Sequence, residues 1–259
     1  MRLLKSEFRK VLYVRSNWGL LIGAVFISAL STAVTVPLLD ADTAGAFGVS
    51  LQTTMGVDAV YANAVSGYIF AIILGVLMMT GEFRHGTAVA TFLTSPKRSR
   101  VVFAKIAVAA VTAAVLMIIS ALAGFLAGWL ALQTVNNPAE PSSNIFVNLM
   151  LASVLAGVVL GIIGLAIGTL IKNQLLAIVA TLVYLFVVDP LLLALAPEAG
   201  KYLPTGLITA MLNITVDAPQ LGFDTSQYLP PLQAAGLLVA IGAVFASVAI
   251  FTSLRRDVD

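Results

Sequence analysis

From Ser16 to Leu39 the chain carries no charged residue. A helix rises about 1.5 Å per residue, so an apolar stretch of this length crosses the roughly 30 Å hydrocarbon core of a bilayer. Five further stretches have the same character. The six predicted spans are 19–39, 60–81, 101–132, 144–171, 174–195 and 232–254. Composition agrees: 60% of residues are hydrophobic and 10% are charged, where a soluble domain carries about 25% charged residues. Mean hydropathy is +1.03. The expected fold is an all-α polytopic membrane protein, with residues 1–259 forming one transmembrane domain. The N-terminal stretch does not read as a signal peptide, because its basic region is long, includes Glu7 and leads into a spanning-length segment.

The distribution of Lys and Arg gives the topology. Arg2, Lys5, Arg9, Lys10 and Arg15 precede span one, and Arg84, Lys97, Arg98, Arg100 and Lys105 lie between spans two and three. Lys172 separates spans four and five, and Arg255 and Arg256 follow span six. With six spans, thirteen of the fourteen basic residues share one side, and only Lys201 faces the other. Basic residues mark cytoplasmic loops, so the expectation is a multi-pass cell-membrane protein with both termini cytoplasmic. Lys105, at the first turn of span three, is expected to snorkel to the interface.

Three segments outside the spans have structure of their own. Within residues 1–17, Leu3, Leu4, Phe8, Val11 and Leu12 recur at helical spacing among Arg2, Lys5, Arg9 and Lys10, which predicts an amphipathic interfacial helix. Phe8, Arg9 and Leu12 are its candidate contact residues. It reads either as a basic membrane anchor or as a lever joined stiffly to span one. The loop 82–100 is too charged to enter the bilayer. Its centre, Thr87–Thr94 (TAVATFLT), predicts two helical turns with Phe92 and Leu93 on the apolar side. Ser95-Pro96 ends them, because the residue before proline leaves the helical region. Glu82 and Arg84 are expected to pair with each other or with a partner. The outer loop 196–231 holds five prolines around Thr205–Ile214, a stretch too short to span that predicts a re-entrant or interfacial helix.

Inside the bilayer, Gly157, Gly161, Gly164 and Gly168 share one face of span four, and small faces allow close helix packing. That packing is either within the chain or against a second subunit. Asp189 and Pro190 lie about 15 residues into span five. They are candidates for a pathway or outer gate, and a helix-ending Asp-Pro is the plainer reading. No polar set reads as a midplane site.

The chain has no cysteine and one histidine, His85, which excludes thiolate and multi-histidine metal sites. Neither a Walker A run nor a hydrolase or zincin motif is present. No catalytic residue, metal site or nucleic-acid partner is expected, and any uphill transport must draw its energy from another chain.

The run Glu82-Phe83-Arg84-His85-Gly86-Thr87, followed by Ser95-Pro96-Lys97-Arg98 and by Ala104-Lys105, resembles the loop between the second and third spans of ABC-2 type transporter permeases. Glu82, Arg84, Gly86, Thr87, Pro96 and Lys105 match that pattern, and its later basic position is Arg98 or Arg100. The six spans, the amphipathic helix and the long last outer loop are similar too. The resemblance implies a permease that binds no cofactor itself and leaves ATP and Mg²⁺ to a separate cytoplasmic ABC ATPase. A second permease copy or paralogue would complete a dimer. Glu82, Phe83, Arg84, Gly86, Thr87, Phe92, Leu93, Pro96 and Arg98 would form the ATPase-coupling segment, with Thr87–Thr94 as the coupling helix. The implied task is export of an amphipathic or apolar substrate such as a drug, antibiotic, peptide or lipid. An ion-driven carrier or channel and a non-transport scaffold subunit are the other readings of the same chain.

Overall fold

The computed structural model describes residues 2–40, 49–84, 86, 98–213 and 228–255. Helix α1 (Arg2–Tyr13) turns at Val14 into α2 (Arg15–Asp40), which is span one. Span two combines α3 (Thr54–Ala62), a 3-10 segment (Asn63–Gly67) and α4 (Tyr68–Arg84). Helices α5 (Arg98–Leu132) and α6 (Ile145–Leu170) form spans three and four. Span five combines α7 (Gln174–Val183), a π turn (Tyr184–Val188) and α8 (Asp189–Leu195). Two short helices follow, α9 (Pro197–Gly200) and α10 (Pro204–Leu212), before α11 (Pro231–Arg255) supplies span six. No strand occurs among the described residues. The chain is an all-α protein with six helices long and apolar enough to cross a membrane.

Span four is the centre of the bundle. The most apolar part of that helix is 61% buried, against 22% for spans one, five and six. Its glycines explain how the neighbours come so close. A Cβ on Gly164 would lie 2.0 Å from the Ile72 carbonyl oxygen, and one on Gly168 would lie 2.8 Å from that of Val76. Gly75 of span two returns the contact, since a Cβ there would lie 2.0 Å from the Gly161 oxygen. One helical turn earlier, Gly157 and Gly161 abut Met117 and Ala113 of span three. The predicted glycine face therefore packs spans two, three and four against one another within a single chain. Interleaving of backbones at this distance is possible only where side chains are absent.

Span two departs from the sequence expectation. It begins at Thr54 rather than near Val60 and is broken by the 3-10 segment. The residues at the break compete for their own backbone. The Asn63 side-chain amide donates to the Ala59 carbonyl at 3.0 Å, and Ser66 Oγ donates to the Asn63 carbonyl at 2.7 Å. Such local bonds favour departures from a regular helix. Span one contributes Ser31, whose Oγ reaches the Asn63 carbonyl at 3.1 Å. Gly67 faces the hydroxyls of Ser28 and Ser120. A band of small polar side chains from spans one, two and three thus lies within the bundle, which the hydropathy pattern does not reveal.

Span five also differs in detail. Asp189-Pro190 does not end the helix, which continues to Leu195. Proline has no N–H, and its ring crowds the carbonyl four residues earlier. The π turn just before it absorbs that conflict, and the Asp189 N–H bonds five residues back to the Tyr184 carbonyl.

Candidate functional site

Four charged side chains from three elements meet at the basic end of the bundle. The Lys105 ammonium donates to Glu7 Oε2 at 2.7 Å and contacts Glu82 Oε1 at 2.6 Å. Lys10 donates to Glu7 Oε1 at 2.6 Å and to Glu82 Oε1 at 2.8 Å. The quartet joins α1, the end of span two and the start of span three. Its formal charge is zero, two carboxylates against two ammoniums. Lys105 is 1% exposed, Glu7 3% and Glu82 6%. Only Lys10 reaches solvent substantially, with its side chain 42% exposed.

Local sequence explains each position. Glu7 and Lys10 are three residues apart on α1 and lie one above the other. Lys105 stands one turn inside span three, on the side turned to α1 and span two, so it is buried there rather than snorkelling outward. The corner after α1 is held by side chains that donate to its last carbonyls. Asn17 Nδ2 donates to Val11 O and Trp18 Nε1 to Leu12 O, both at 2.8 Å. These groups would otherwise be orphaned at a helix end. The amphipathic helix is thereby fixed to span one through a short, bonded elbow.

Burial works against the charge on Glu7, but the Lys105 and Lys10 ammoniums outweigh it and hold the Glu7 carboxyl below its ordinary range. For Lys10, burial again opposes the charge, and the contacts with Glu7 and Glu82 raise it above the ordinary lysine value. The sign of the pH effect follows. The lowered Glu7 contributes stability above the ordinary carboxyl range and loses it as pH falls through its folded value. The raised Lys10 contributes below the ordinary lysine value and loses it as pH rises through its folded value. Docking of α1 should therefore be flat through neutral pH and weaken at both extremes. Trp18 fluorescence, read at the elbow across a pH series, measures this; a transition near neutrality would contradict it.

The quartet re-sorts the expected site residues. Glu82 does not pair with Arg84. It pairs with Lys10 and Lys105, whereas exposed Arg84 donates to Gln174 Oε1 of span five at 3.3 Å. Phe83 is half-buried with the Lys172 ammonium 6.0 Å from its ring centre. Gly86 has φ +65, a left-handed conformation suited to glycine, and its N–H closes a turn onto the Phe83 carbonyl. Arg98 is the first residue of α5. Thr87, Phe92, Leu93 and Pro96, and with them the expected coupling helix Thr87–Thr94, lie outside the described residues.

On α1, Phe8 is half-buried while Arg9 and Leu12 are exposed. The residue this helix buries most deeply among those described is Glu7, an acid in the middle of the apolar pattern. That position, the charge at the end of span two and the lysine one turn into span three were the available signals for the quartet.

At the other end of the bundle, Asp189 is fully buried. Its Oδ2 accepts the Thr205 N–H at 3.1 Å and the Thr205 hydroxyl at 2.6 Å. The carboxylate thus caps α10, whose own N-cap residue, Leu203, supplies no side-chain bond. Pro190 points outward and is exposed. Asp189 therefore ties α10 to span five. On the same side, Asp58 accepts both the N–H and hydroxyl of Ser142, which pins the loop between spans three and four to α3.

No group of three or more His, Cys, Asp or Glu side chains able to hold a metal occurs among the described residues. No curated protein matches the chain. A family model described as ABC-2 family transporter protein matches residues 3–188, from α1 through the π turn of span five. That match takes in the whole quartet and residues 85–97, and leaves Asp189, α10 and span six beyond its end. With most of its length matched and six membrane-spanning helices around a glycine-packed centre, the chain belongs to the ABC-2 family of transporter proteins.

Proposed function

We propose that this chain is the permease subunit of an ATP-driven exporter, with its basic face cytoplasmic and ATP hydrolysed on a separate ABC ATPase. The observation that carries the reading is the ionic quartet. It gathers α1, span two and span three into one unit a few residues before Thr87–Thr94 in sequence, where the family resemblance puts the ATPase contact. A push on that segment reaches α1 and two spans together, because buried charge pairs resist being separated. Two permeases, copies or paralogues, would flank the path. Differential contacts with the ATPase in its two states must supply the free energy of opening. With no charged midplane site among the described residues, an amphipathic or apolar cargo suits the bundle better than a strongly charged one.

The deciding experiment pairs the permease with its ATPase in vesicles. ATP-dependent movement of an amphipathic fluorophore is expected, together with co-purification of the ATPase that is lost on deleting residues 87–94. Transport persisting without any ATPase would favour a channel or ion-driven carrier instead.

Arg84 offers the cleanest point variant. Its side chain is exposed and makes one long bond, so Arg84→Ala should keep the wild-type unfolding midpoint. Stimulation of ATP hydrolysis by the permease, and transport with it, should fall by about tenfold or more if one charge-assisted contact with the ATPase is lost. Unchanged transport would remove Arg84 from the coupling path.

A further inference from the structure

Beside the quartet, a partly open cleft of about 490 Å³ runs between α1, the start of span one, the end of span two and the first residue of span five. One part of its wall is charged, with Glu7, Glu82, Lys10 and Arg84; another is apolar, with Tyr13, Val14, Leu77 and Met78. Two details of the charged wall are unspent by the quartet. Both ammoniums bind Glu82 at Oε1, and Oε2 is buried without a hydrogen-bond partner. Lys10 uses two of its three N–H donors, on Glu7 and Glu82.

We propose that this cleft binds the headgroup of an aminophospholipid from the leaflet on the basic side: the Glu82 carboxylate turns its buried Oε2 toward the cleft to receive the primary ammonium, and the phosphate lies on Arg84 and the spare N–H of Lys10. A buried carboxylate oxygen without a donor is costly, and a primary ammonium supplies both the donor and the opposite charge. A quaternary ammonium has no N–H to give. A phosphate without an amine would meet the cations but leave Oε2 unsatisfied and face the Glu82 carboxylate. An amine without a phosphate would leave Arg84 and Lys10 unmatched. The zwitterion answers both halves of the wall.

The apolar wall selects a lipid over a soluble zwitterion. Leu77 precedes Arg84 by seven residues, so it lies about 10 Å deeper along the helix, at the depth where acyl chains begin below a headgroup. Exposed Leu12, next to the cleft-lining Tyr13, continues the apolar surface outside the cleft. The proposal needs the membrane-spanning fold but not the export reading, so either can fail alone.

Thermal unfolding of the purified full-length permease tests it, with short-chain phosphatidylethanolamine, phosphatidylcholine and phosphatidylglycerol and with free phosphoethanolamine as probes. Phosphatidylethanolamine should stabilise at concentrations about tenfold lower than either other lipid, the size of one lost charge-assisted hydrogen bond. Arg84→Gln should raise the concentration needed by a similar factor without moving the lipid-free midpoint. Met78→Trp, which fills the apolar wall, should abolish the lipid response and spare the weaker one to phosphoethanolamine. Equal responses to phosphatidylethanolamine and phosphatidylcholine would overturn the proposal. So would a lipid response untouched by both variants, or phosphoethanolamine acting as strongly as the whole lipid.

Discussion

Lys105→Met should lower the unfolding midpoint of the permease sharply and release α1 to proteolysis while the six spans remain inserted. The substitution keeps the length of the side chain and removes its charge at a site 1% exposed. Glu7 Oε2 then loses its donor, and Lys10 alone faces two buried carboxylates. Removing one partner of a buried ion pair costs about 3–5 kcal/mol, because the remaining charge stays desolvated. Adding Glu7→Gln to Lys105→Met restores the charge balance and should recover much of the loss. The two changes would then be far from additive, as expected for residues in one network. Lys201→Met is the comparison. Lys201 pairs with Glu198, whose side chain is 82% exposed, and exposed pairs contribute little, so its midpoint should not move. If Lys105→Met unfolded at the wild-type midpoint with α1 still protected, the quartet would not be what holds α1 to the bundle.

The same arrangement changes how Glu82 should be tested. From sequence, Glu82 and Arg84 look like equivalent members of one motif. In the fold, Glu82 faces inward to hold α1 and span three, and Arg84 faces outward beside span five. Glu82→Ala therefore combines a stability defect with any defect in coupling, and only Arg84 separates the two.

The spans were legible in the sequence because lipid imposes a simple condition: long apolar helices with charges kept to the ends. That condition alone places span five at 174–195, as observed. The condition says little about regularity within a span. Asn63, Ser66 and Gly67 are tolerated in a hydropathy average, and their bonds to neighbouring carbonyls are invisible to it, so the break in span two was missed. Pro190 misled in the opposite direction, because a π turn can carry a helix through proline. The quartet was harder still. Lys105 and Glu7 are 98 positions apart, and Lys10 and Glu82 are 72 apart. Periodicity carries no information at that range. What the sequence did hold was charge conservation in miniature: one acid and one base on α1, one acid ending span two and one base opening span three. Each is expensive alone at a membrane edge, and the expense is removed only if they meet.

Gly164→Val should be the most damaging substitution at the bundle centre. A Cβ at Gly164 lies 2.0 Å from the Ile72 carbonyl oxygen and 3.1 Å from the Val76 nitrogen. Both are backbone atoms, so no rotamer change relieves the contact, and spans two and four must move apart. Overpacking a core commonly costs about 1–3 kcal/mol; a clash with backbone in a lipid-embedded helix pair belongs at or above the top of that range. Separation would also disturb Gly161 against Gly75 and Gly168 against Val76, which use the same face. The damage should reach the basic end of the bundle, because span two carries Glu82 into the quartet. Gly164→Val should therefore both lower the unfolding midpoint and loosen α1, over 150 residues away in sequence. Gly236→Ala supplies the contrast, since a Cβ there meets nothing within 4 Å; it should be neutral or slightly stabilising through helix propensity. Wild-type stability in Gly164→Val would mean that spans two and four do not pack backbone to backbone.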